Sequence, residues 1–198
     1  IIKLDVSGYF MHIIRSLLYE RVLWGLNCQF EGNYGTRYEI LKHAIMEIVF
    51  DDPVRGCRIQ GSYKDWRRLP PDKSLFPQPS GRGLVIGNLT SQFFSNIYLD
   101  PLDRFVKYKL GYDYYTRYVD DFCIVITKEQ LPQAKQNIKA IATFLEGLGL
   151  SLNQKKTQII PSSQGVPFLG TIVKNRAVFP GKRIKKNFIL AARELVAG

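Results

Sequence analysis

The sequence has little of what disulfide-bonded, zinc-binding or membrane-spanning proteins need. Its three cysteines, Cys28, Cys57 and Cys123, are odd in number and lack metal-ligand spacing, which favours reduced thiols. No apolar run is long enough to cross a bilayer, and no charged-then-apolar leader opens the chain. We therefore expect a cytoplasmic protein without a membrane partner. Because Ile1 already stands inside a strand-like run, we also expect further sequence upstream of it.

Acidic residues are scarce relative to basic ones. The chain carries 17 Asp and Glu against 28 Lys and Arg, which gives a net charge of +11 and a pI of about 9.6. Such a balance implies polyanionic partners and favours nucleic acid over a membrane surface. The 45% hydrophobic content in 198 residues is enough for a core, so the chain is not a disordered tail.

Hydrophobic periodicity predicts helices and strands in alternation along most of the chain. Gly25 is a plausible stop for the first helix, and Thr90 or Ser91 can cap a later one. The predicted helices are 8–23, 38–50, 89–106, 129–148 and 182–198, with a loop at 27–36 and a Gly-rich turn at 81–88. The predicted strands are 1–6, 114–118, 121–127, 156–160 and 166–173. This order indicates a mixed α+β fold in which helices cover one face of the sheet.

Adjacent carboxylates lie at the tip of a predicted β-hairpin over residues 114–127. Asp120 and Asp121 alone have an ordinary explanation, because Asp is a common turn residue. A third carboxylate, Asp5, ends the first predicted strand. If that strand lies beside the hairpin, the three carboxylates converge, and they suit two Mg²⁺ ions of the kind that assist in-line phosphoryl transfer.

A basic and aromatic segment, residues 54–82, has no sustained hydrophobic period. Irregular stretches of this length usually bind something. Lys64, Trp66, Arg67 and Arg68 can follow a nucleic-acid backbone, with the indole ring available for stacking. The alternative is a solvated loop anchored by a buried Trp. The Gly-rich turn that follows can cradle phosphate or simply enter a helix.

Five motifs, in this order, resemble those of a reverse transcriptase. They are L-D-V-S-G-Y-F at 4–10, the segment 83–99, Y-V-D-D at 118–121, L-S-L-N-Q-K-K-T at 150–157 and F-L-G at 168–170. The resemblance covers almost the whole chain. It implies a right-hand polymerase palm, with an antiparallel sheet covered by helices on one face, and part of the fingers over residues 1–181, about 27–85 being inserted. Residues 182–198 would be the start of a thumb. The upstream fingers would be missing.

The resemblance also implies roles for individual residues. Asp5 and Asp120 would hold Mg²⁺, or Mn²⁺, with the Val6 carbonyl as a further ligand. Asp121 is the weaker ligand candidate, because adjacent strand residues point to opposite faces. Lys156 would contact the triphosphate or protonate the pyrophosphate. The remaining implied site residues are Phe10, Ile86, Gly87, Ser91 and Gln92 at the nucleotide, and Phe168, Leu169 and Gly170 as primer grip. The alternatives are core packing for Phe10 and surface solvation for Lys156.

One departure from the common pattern points to a subfamily. Residues 86–92 read I-G-N-L-T-S-Q, where intron and retron enzymes carry Q-G-x-x-x-S-P. This form, together with residues 65–76, is similar to reverse transcriptases of diversity-generating retroelements. The resemblance implies error-prone copying of a template RNA from a DNA or RNA primer with deoxynucleoside triphosphates, and an accessory variability protein. The rivals are an intron, retron or defence-associated enzyme, and an inactive palm that serves as an RNA-binding scaffold.

Overall fold

The computed structural model of the protein describes residues 1–58, 60–174 and 177–197. Its helices are α1 Tyr9–His12, α2 Arg15–Phe30, α3 Thr36–Phe50, α4 Tyr63–Trp66, α5 Leu89–Arg104, α6 Leu131–Glu146 and α7 Lys182–Ala197. Its strands are β1 Ile2–Asp5, β2 Tyr115–Tyr118, β3 Asp121–Ile124, β4 Gln158–Ile159, β5 Val166–Phe168, β6 Thr171–Lys174 and β7 Ala177–Pro180. The mixture of helix and sheet confirms the predicted class. Gly198, the end of the last predicted helix, and Ile59, within the irregular segment, lie outside the described residues.

The central sheet has four antiparallel strands in the order β2-β3-β1-β4. Strand alternation divides β1 and β3 into an apolar and a polar face. The apolar face consists of completely buried side chains, namely Ile2, Leu4, Phe122 and Ile124. The opposite face carries Lys3, Asp5, Asp121 and Cys123. The sheet therefore buries one face in the core and leaves the other for polar chemistry.

Helix α5 is the central support of this core. Its Tyr98 is completely buried, and the Tyr98 hydroxyl donates to the Leu148 carbonyl at 2.6 Å and accepts from the Ile14 amide at 3.3 Å. A π-helical turn, Phe105–Lys109, continues α5 and stacks Phe105 on Phe144 of α6, with ring centroids 4.5 Å apart.

In the described part of the chain, no helix combines the length and the apolar character that a membrane crossing requires.

The predicted helix over residues 8–23 is wrong, because the structure divides it into α1 and α2. Between these helices Ile14 pairs with Arg82 in an isolated β-bridge. The Gly83 amide donates to the Ile13 carbonyl at 2.8 Å, and the Arg15 amide donates to the Gly81 carbonyl at 2.9 Å. Backbone groups that a continuous helix would use are thus bonded to a segment distant in sequence.

Three other boundaries also differ from the prediction. Helix α2 continues through Gly25 to Phe30, so Gly25 is not a stop and the predicted loop at 27–36 begins only after α2 ends. Asn88, rather than Thr90 or Ser91, occupies the N-cap position of α5, without a side-chain cap. The predicted strand 166–173 is a hairpin of β5 and β6 that turns at Leu169 and Gly170, both with positive φ, and the sequence analysis missed β7.

The three cysteines differ in accessibility, which gives a direct test of the fold. Cys28 and Cys57 are exposed free thiols, whereas Cys123 is buried on β3 and burial raises the pKa of its thiol. The thiolate is the reactive form, so we expect Cys28 and Cys57 to react with iodoacetamide at least about tenfold faster than Cys123. Mass spectrometry of timed samples measures the rates. Equal rates at all three sites would contradict the buried position of β3.

Candidate active site

The register of β1 and β3 brings two acidic side chains together. Asp5 and Asp121 are cross-strand partners on the polar face. The Val6 amide donates to the Asp120 carbonyl at 3.0 Å, so the Asp5–Asp121 pair lies between hydrogen-bonded pairs, where opposite side chains approach most closely. Like charges at such a position repel, and this arrangement therefore requires positive charge nearby.

Asp120 lies beside this pair in the two-residue turn of the β2–β3 hairpin. The first turn residue, Val119, has a φ of 57°, an uncommon conformation for a β-branched residue. Desolvation raises the pKa of the Asp120 carboxyl, and the negative charge of Asp5 raises it further. A backbone hydrogen bond and Lys156 act in the opposite direction. Asp5 and Asp120 therefore interact electrostatically across the sheet edge.

The structure corrects the argument that ranked Asp121 below Asp120 by strand alternation. Asp120 belongs to the turn rather than to β3, so alternation does not define its direction. Asp121 is the residue that shares a face with Asp5. What distinguishes Asp121 is its ion pair with Lys3, in which the Lys3 Nζ lies 2.5 Å from Asp121 Oδ1.

Two lysines neutralise the acidic pair. Lys156 Nζ donates to Asp5 Oδ2 at 2.8 Å, and this hydrogen bond raises the pKa of the lysine. Asn153 Nδ2 donates to Asp5 Oδ1 at 3.3 Å, and Lys3 pairs with Asp121. The sequence analysis missed Lys3 and Asn153. The signal for Lys3 was available, since a residue two positions before Asp5 in a strand lies on the same face.

An arginine fixes the hairpin to α5. Arg117 on β2 forms a bidentate pair with Asp103, with Nε to Oδ1 at 2.7 Å and Nη2 to Oδ2 at 2.6 Å. The same guanidinium donates from Nη1 to the Val119 carbonyl at 2.9 Å, and the Tyr115 hydroxyl donates to Asp103 at 2.6 Å. The planar, charge-assisted contact of Arg117 with Asp103 thus connects the turn that carries Asp120 to α5.

The β5–β6 hairpin forms one wall of a cavity of about 570 Å³ over the carboxylates. Lys3 Nζ lies 5.4 Å from the centroid of the Phe168 ring, and the Gly181 amide before α7 donates to the Gly170 carbonyl at 3.0 Å. Among the residues singled out from the sequence, the cavity is lined by Asp5, Asp121, Lys156, Phe168, Leu169 and Gly170. The structure therefore places the hairpin beside the acidic pair.

Other residues singled out from the sequence lie elsewhere. Phe10 is half-buried against the core, and its carbonyl accepts from the Leu84 amide at 2.8 Å. At the start of α5, Ser91 is buried and lines a cavity of about 460 Å³. Ile86, Gly87 and Gln92 are exposed there. Trp66 and Arg67 line a further cavity of about 280 Å³, in which neither Lys64 nor Arg68 takes part.

The donor atoms at the acidic pair fit a hard divalent cation in kind. Asp5, Asp120 and Asp121 supply carboxylate oxygens, the ligands that Mg²⁺ prefers. Within residues 1–58, 60–174 and 177–197, however, no three His, Cys, Asp or Glu side chains are grouped to hold a metal. Two of these carboxylates instead form ion pairs with lysines, Asp5 with Lys156 and Asp121 with Lys3. A bound cation would compete with Lys156 for Asp5, and the metal site stays a prediction.

Removing the Lys3 charge is expected to destabilise the polar face. Lys3→Met leaves Asp121 opposite Asp5 without its partner, and we expect the free energy of unfolding to fall by about 1–2 kcal/mol. Lys3→Arg should restore most of it. The matched control is Lys42→Met, since the side chain of Lys42 is 41% exposed and lies 3.9 Å from Glu39, a pair of small energetic value. Equal losses in urea unfolding for both Met variants would show that the Lys3 contact contributes nothing.

The chain matches a known protein family. The family described as reverse transcriptase (RNA-dependent DNA polymerase) matches residues 43–173, about two thirds of the chain. The match contains Asp120, Asp121, Lys156 and the β5–β6 hairpin, whereas Asp5 precedes it. No curated protein matches the chain. With its antiparallel sheet and its acidic hairpin turn, the chain belongs to the reverse transcriptase family.

Proposed function

We propose that the protein is an RNA-directed DNA polymerase that adds deoxynucleotides to a primer. One observation supports this most strongly, namely that Asp5 lies directly opposite Asp121, with Asp120 in the adjoining turn. In this proposal residues 1–181 form the palm with part of the fingers, about 27–85 being inserted. Residues 182–198 begin the thumb. The family implies template and nucleotide as substrates.

The chemistry requires oxygen ligands and a neighbouring positive charge. Asp5 and Asp120 would hold Mg²⁺ or Mn²⁺, with Asp121 and the Val6 carbonyl as further candidates. Two such ions, when bound, stabilise the attacking and the leaving oxygen of an in-line phosphoryl displacement. The side chain of Lys156 is 59% exposed while Asp5 beside it is buried, so Lys156 can contact a triphosphate that enters from solvent.

The proposed primer contacts lie in the cavity wall beside the acidic pair, whereas the proposed nucleotide contacts lie outside that wall. Phe168, Leu169 and Gly170 form a tight turn beside the acidic pair, and we assign them the primer-grip role. Phe10, Ile86, Gly87, Ser91 and Gln92 would form the nucleotide side. Ile86 is 64% exposed, so its side chain is available to a ligand rather than committed to the core.

Within the family, we propose a reverse transcriptase of a diversity-generating retroelement with an accessory variability protein. Ile86 supports this choice, because an apolar side chain replaces the glutamine of intron and retron enzymes and offers no hydrogen bond to report correct pairing. We expect Ile86→Gln to lower misincorporation opposite template adenine by about threefold to tenfold. Sequencing of extension products measures this, and an unchanged error spectrum would argue for one of the other bacterial classes.

Primer extension tests the function itself. The protein is incubated with Mg²⁺, deoxynucleoside triphosphates and a labelled primer annealed to RNA or DNA templates of one sequence. We expect extension on RNA, and misincorporation concentrated opposite adenine. Binding of the primer–template without extension, at any divalent cation concentration, would instead support the inactive scaffold.

A further inference from the structure

The small cavity around Trp66 is separate from the acidic pair and has a composition of its own. It has a volume of about 280 Å³ and is partly open to solvent. Its walls are mainly apolar and ring-rich, with a single cation and a single hydroxyl, and consist of Trp66, Leu69, Pro71, Phe76 and Pro77 together with Arg67 and Ser74. Pockets with apolar walls and a few polar groups are the usual form of a ligand site.

Hydrogen bonds hold the cavity in shape. The Trp66 Nε1 donates to the Gln60 carbonyl at 2.9 Å, and the Trp66 ring meets the Phe76 ring edge-on at 5.5 Å. Gln78 Nε2 donates to the carbonyls of Pro71 and Ser74 at 2.7 and 3.2 Å. The polar atom of the indole is therefore already bonded, and the exposed part of the ring offers only π-surface. A ring fixed in this way loses little entropy when a ligand binds.

The segment that forms the cavity packs against two other segments, one just after Asp5 and one just before α5. The short 3₁₀ turn Pro71–Lys73 packs against α1 so closely that a Cβ on Gly8 would lie 2.9 Å from the Cβ of Asp72. Gly8 has a φ of 52° and follows Asp5 by three residues. On the other side, Leu75 packs against Gly83, in the segment that enters α5. A ligand in the cavity is thus held on an element fixed to both the acidic strand and α5.

Charge favours a polyanionic ligand. Residues 54–82 contain seven Lys and Arg and two Asp, a net charge of +5, and Arg67 is part of the cavity wall. An acidic peptide or a membrane surface would satisfy the charge but not the flat aromatic wall. A nucleobase has a planar apolar face attached to a phosphate, and bases stack on aromatic side chains irrespective of sequence.

We propose that the Trp66 cavity binds one unpaired base of single-stranded nucleic acid, with Arg67 at the adjoining phosphate. The inference rests on the proposed function, since the unpaired template strand is the nucleic acid that a polymerase would present there. The cavity would hold that strand in place before pairing and add affinity without reading sequence.

The tryptophan content makes a direct test feasible. The chain has two tryptophans, and Trp24 lies exposed on α2, so Trp24→Phe leaves Trp66 as the single emitter. This variant is titrated with single-stranded RNA, single-stranded DNA of the same sequence and the blunt duplex, while anisotropy of labelled strands reports binding independently. We expect single strands to quench Trp66 at saturation and the duplex to leave its emission unchanged. Stronger quenching by RNA assigns the cavity to the template strand, and stronger quenching by DNA assigns it to the displaced or product strand.

Substitutions separate stacking from charge. Trp66→Leu should weaken single-strand binding about 5- to 150-fold, whereas Trp66→Phe should retain most of it. Arg67→Ala should make the slope of log affinity against log salt concentration shallower, by the amount expected for about one phosphate contact. Trp24→Leu serves as the control for loss of an exposed tryptophan and should bind as the parent does. Circular dichroism of Trp66→Leu and Trp66→Phe shows whether a loss of binding affinity results from a loss of folded structure.

Two results would overturn the cavity assignment, namely unchanged Trp66 emission while anisotropy shows a bound strand, or parental affinity in Trp66→Leu. Primer extension by the Trp24→Phe protein is measured in parallel. Quenching without extension would remove the polymerase proposal and leave the cavity in place. Extension without quenching would remove the cavity assignment and leave the polymerase proposal in place.

Discussion

Replacing Asp120 by Asn is expected to reduce the rate of primer extension by about a thousandfold or more, without unfolding the protein. The carboxylate is a proposed cation ligand, and losing it removes several kcal/mol of charge stabilisation from the displacement. Desolvation and Asp5 both disfavour the charged form of Asp120 in the fold. Removing that charge should therefore leave the melting temperature unchanged or slightly higher, as often occurs when an active-site charge is replaced.

A nearby acid provides the control for this substitution. Asp113 lies exposed shortly before β2, and Asp113→Asn changes the net charge equally without touching the acidic pair. Extension rates are measured in single turnover at saturating primer–template and several Mg²⁺ concentrations. Comparable activity in the Asp120→Asn and Asp113→Asn proteins would show that Asp120 is an ordinary turn residue.

The largest effect on stability is expected from Arg117→Ala, at about 2–3 kcal/mol of lost free energy of unfolding. The side chain of Arg117 is 8% exposed and that of Asp103 is 29% exposed, so the substitution leaves a partly buried carboxylate without its bidentate partner. The Val119 carbonyl and Asn96 lose a donor at the same time. We also expect extension to fall, because the turn that carries Asp120 loses its support.

Arg104, which follows Asp103 in α5, supplies a matched comparison. Arg104 pairs with Asp100 at 2.8 Å, but both side chains are half-exposed or more, and such pairs contribute little. Arg104→Ala should therefore cost less than about 0.5 kcal/mol in the same urea titration. Similar costs for the two alanine variants would mean that the Arg117–Asp103 contact does not anchor the hairpin.

Elements defined by local sequence patterns were predictable. The apolar run before Asp5 became β1, the two β-branched and aromatic runs became the β2–β3 hairpin, and the amphipathic stripe after it became α6. In each case the period of the apolar residues matches the face that the element buries. The position of Asp120 at a hairpin turn followed from the same local signal.

Features that depend on distant partners were not predictable from these patterns. Residues 8–23 have a helical period throughout, yet Ile13 and Ile14 bond to residues 82 and 83 and leave the helix. Lys3 and Asp121 are separated by 118 positions, and only the pairing of β1 with β3 brings them together. The strand-alternation reason for ranking Asp120 over Asp121 does not hold for a related reason, because the position of the turn decides which residue shares a face with Asp5. The ranking itself stays a prediction.

Manganese binding tests the central claim most directly, since it needs neither nucleic acid nor turnover. Electron paramagnetic resonance of free Mn²⁺ is followed as protein is added, for the parent and for Asp5→Asn, Asp120→Asn and Asp113→Asn. The account predicts that the parent and Asp113→Asn remove Mn²⁺ from solution with similar affinity and that Asp5→Asn and Asp120→Asn each weaken binding at least about tenfold. Parental affinity in either Asp5→Asn or Asp120→Asn would contradict a cation shared by these two carboxylates.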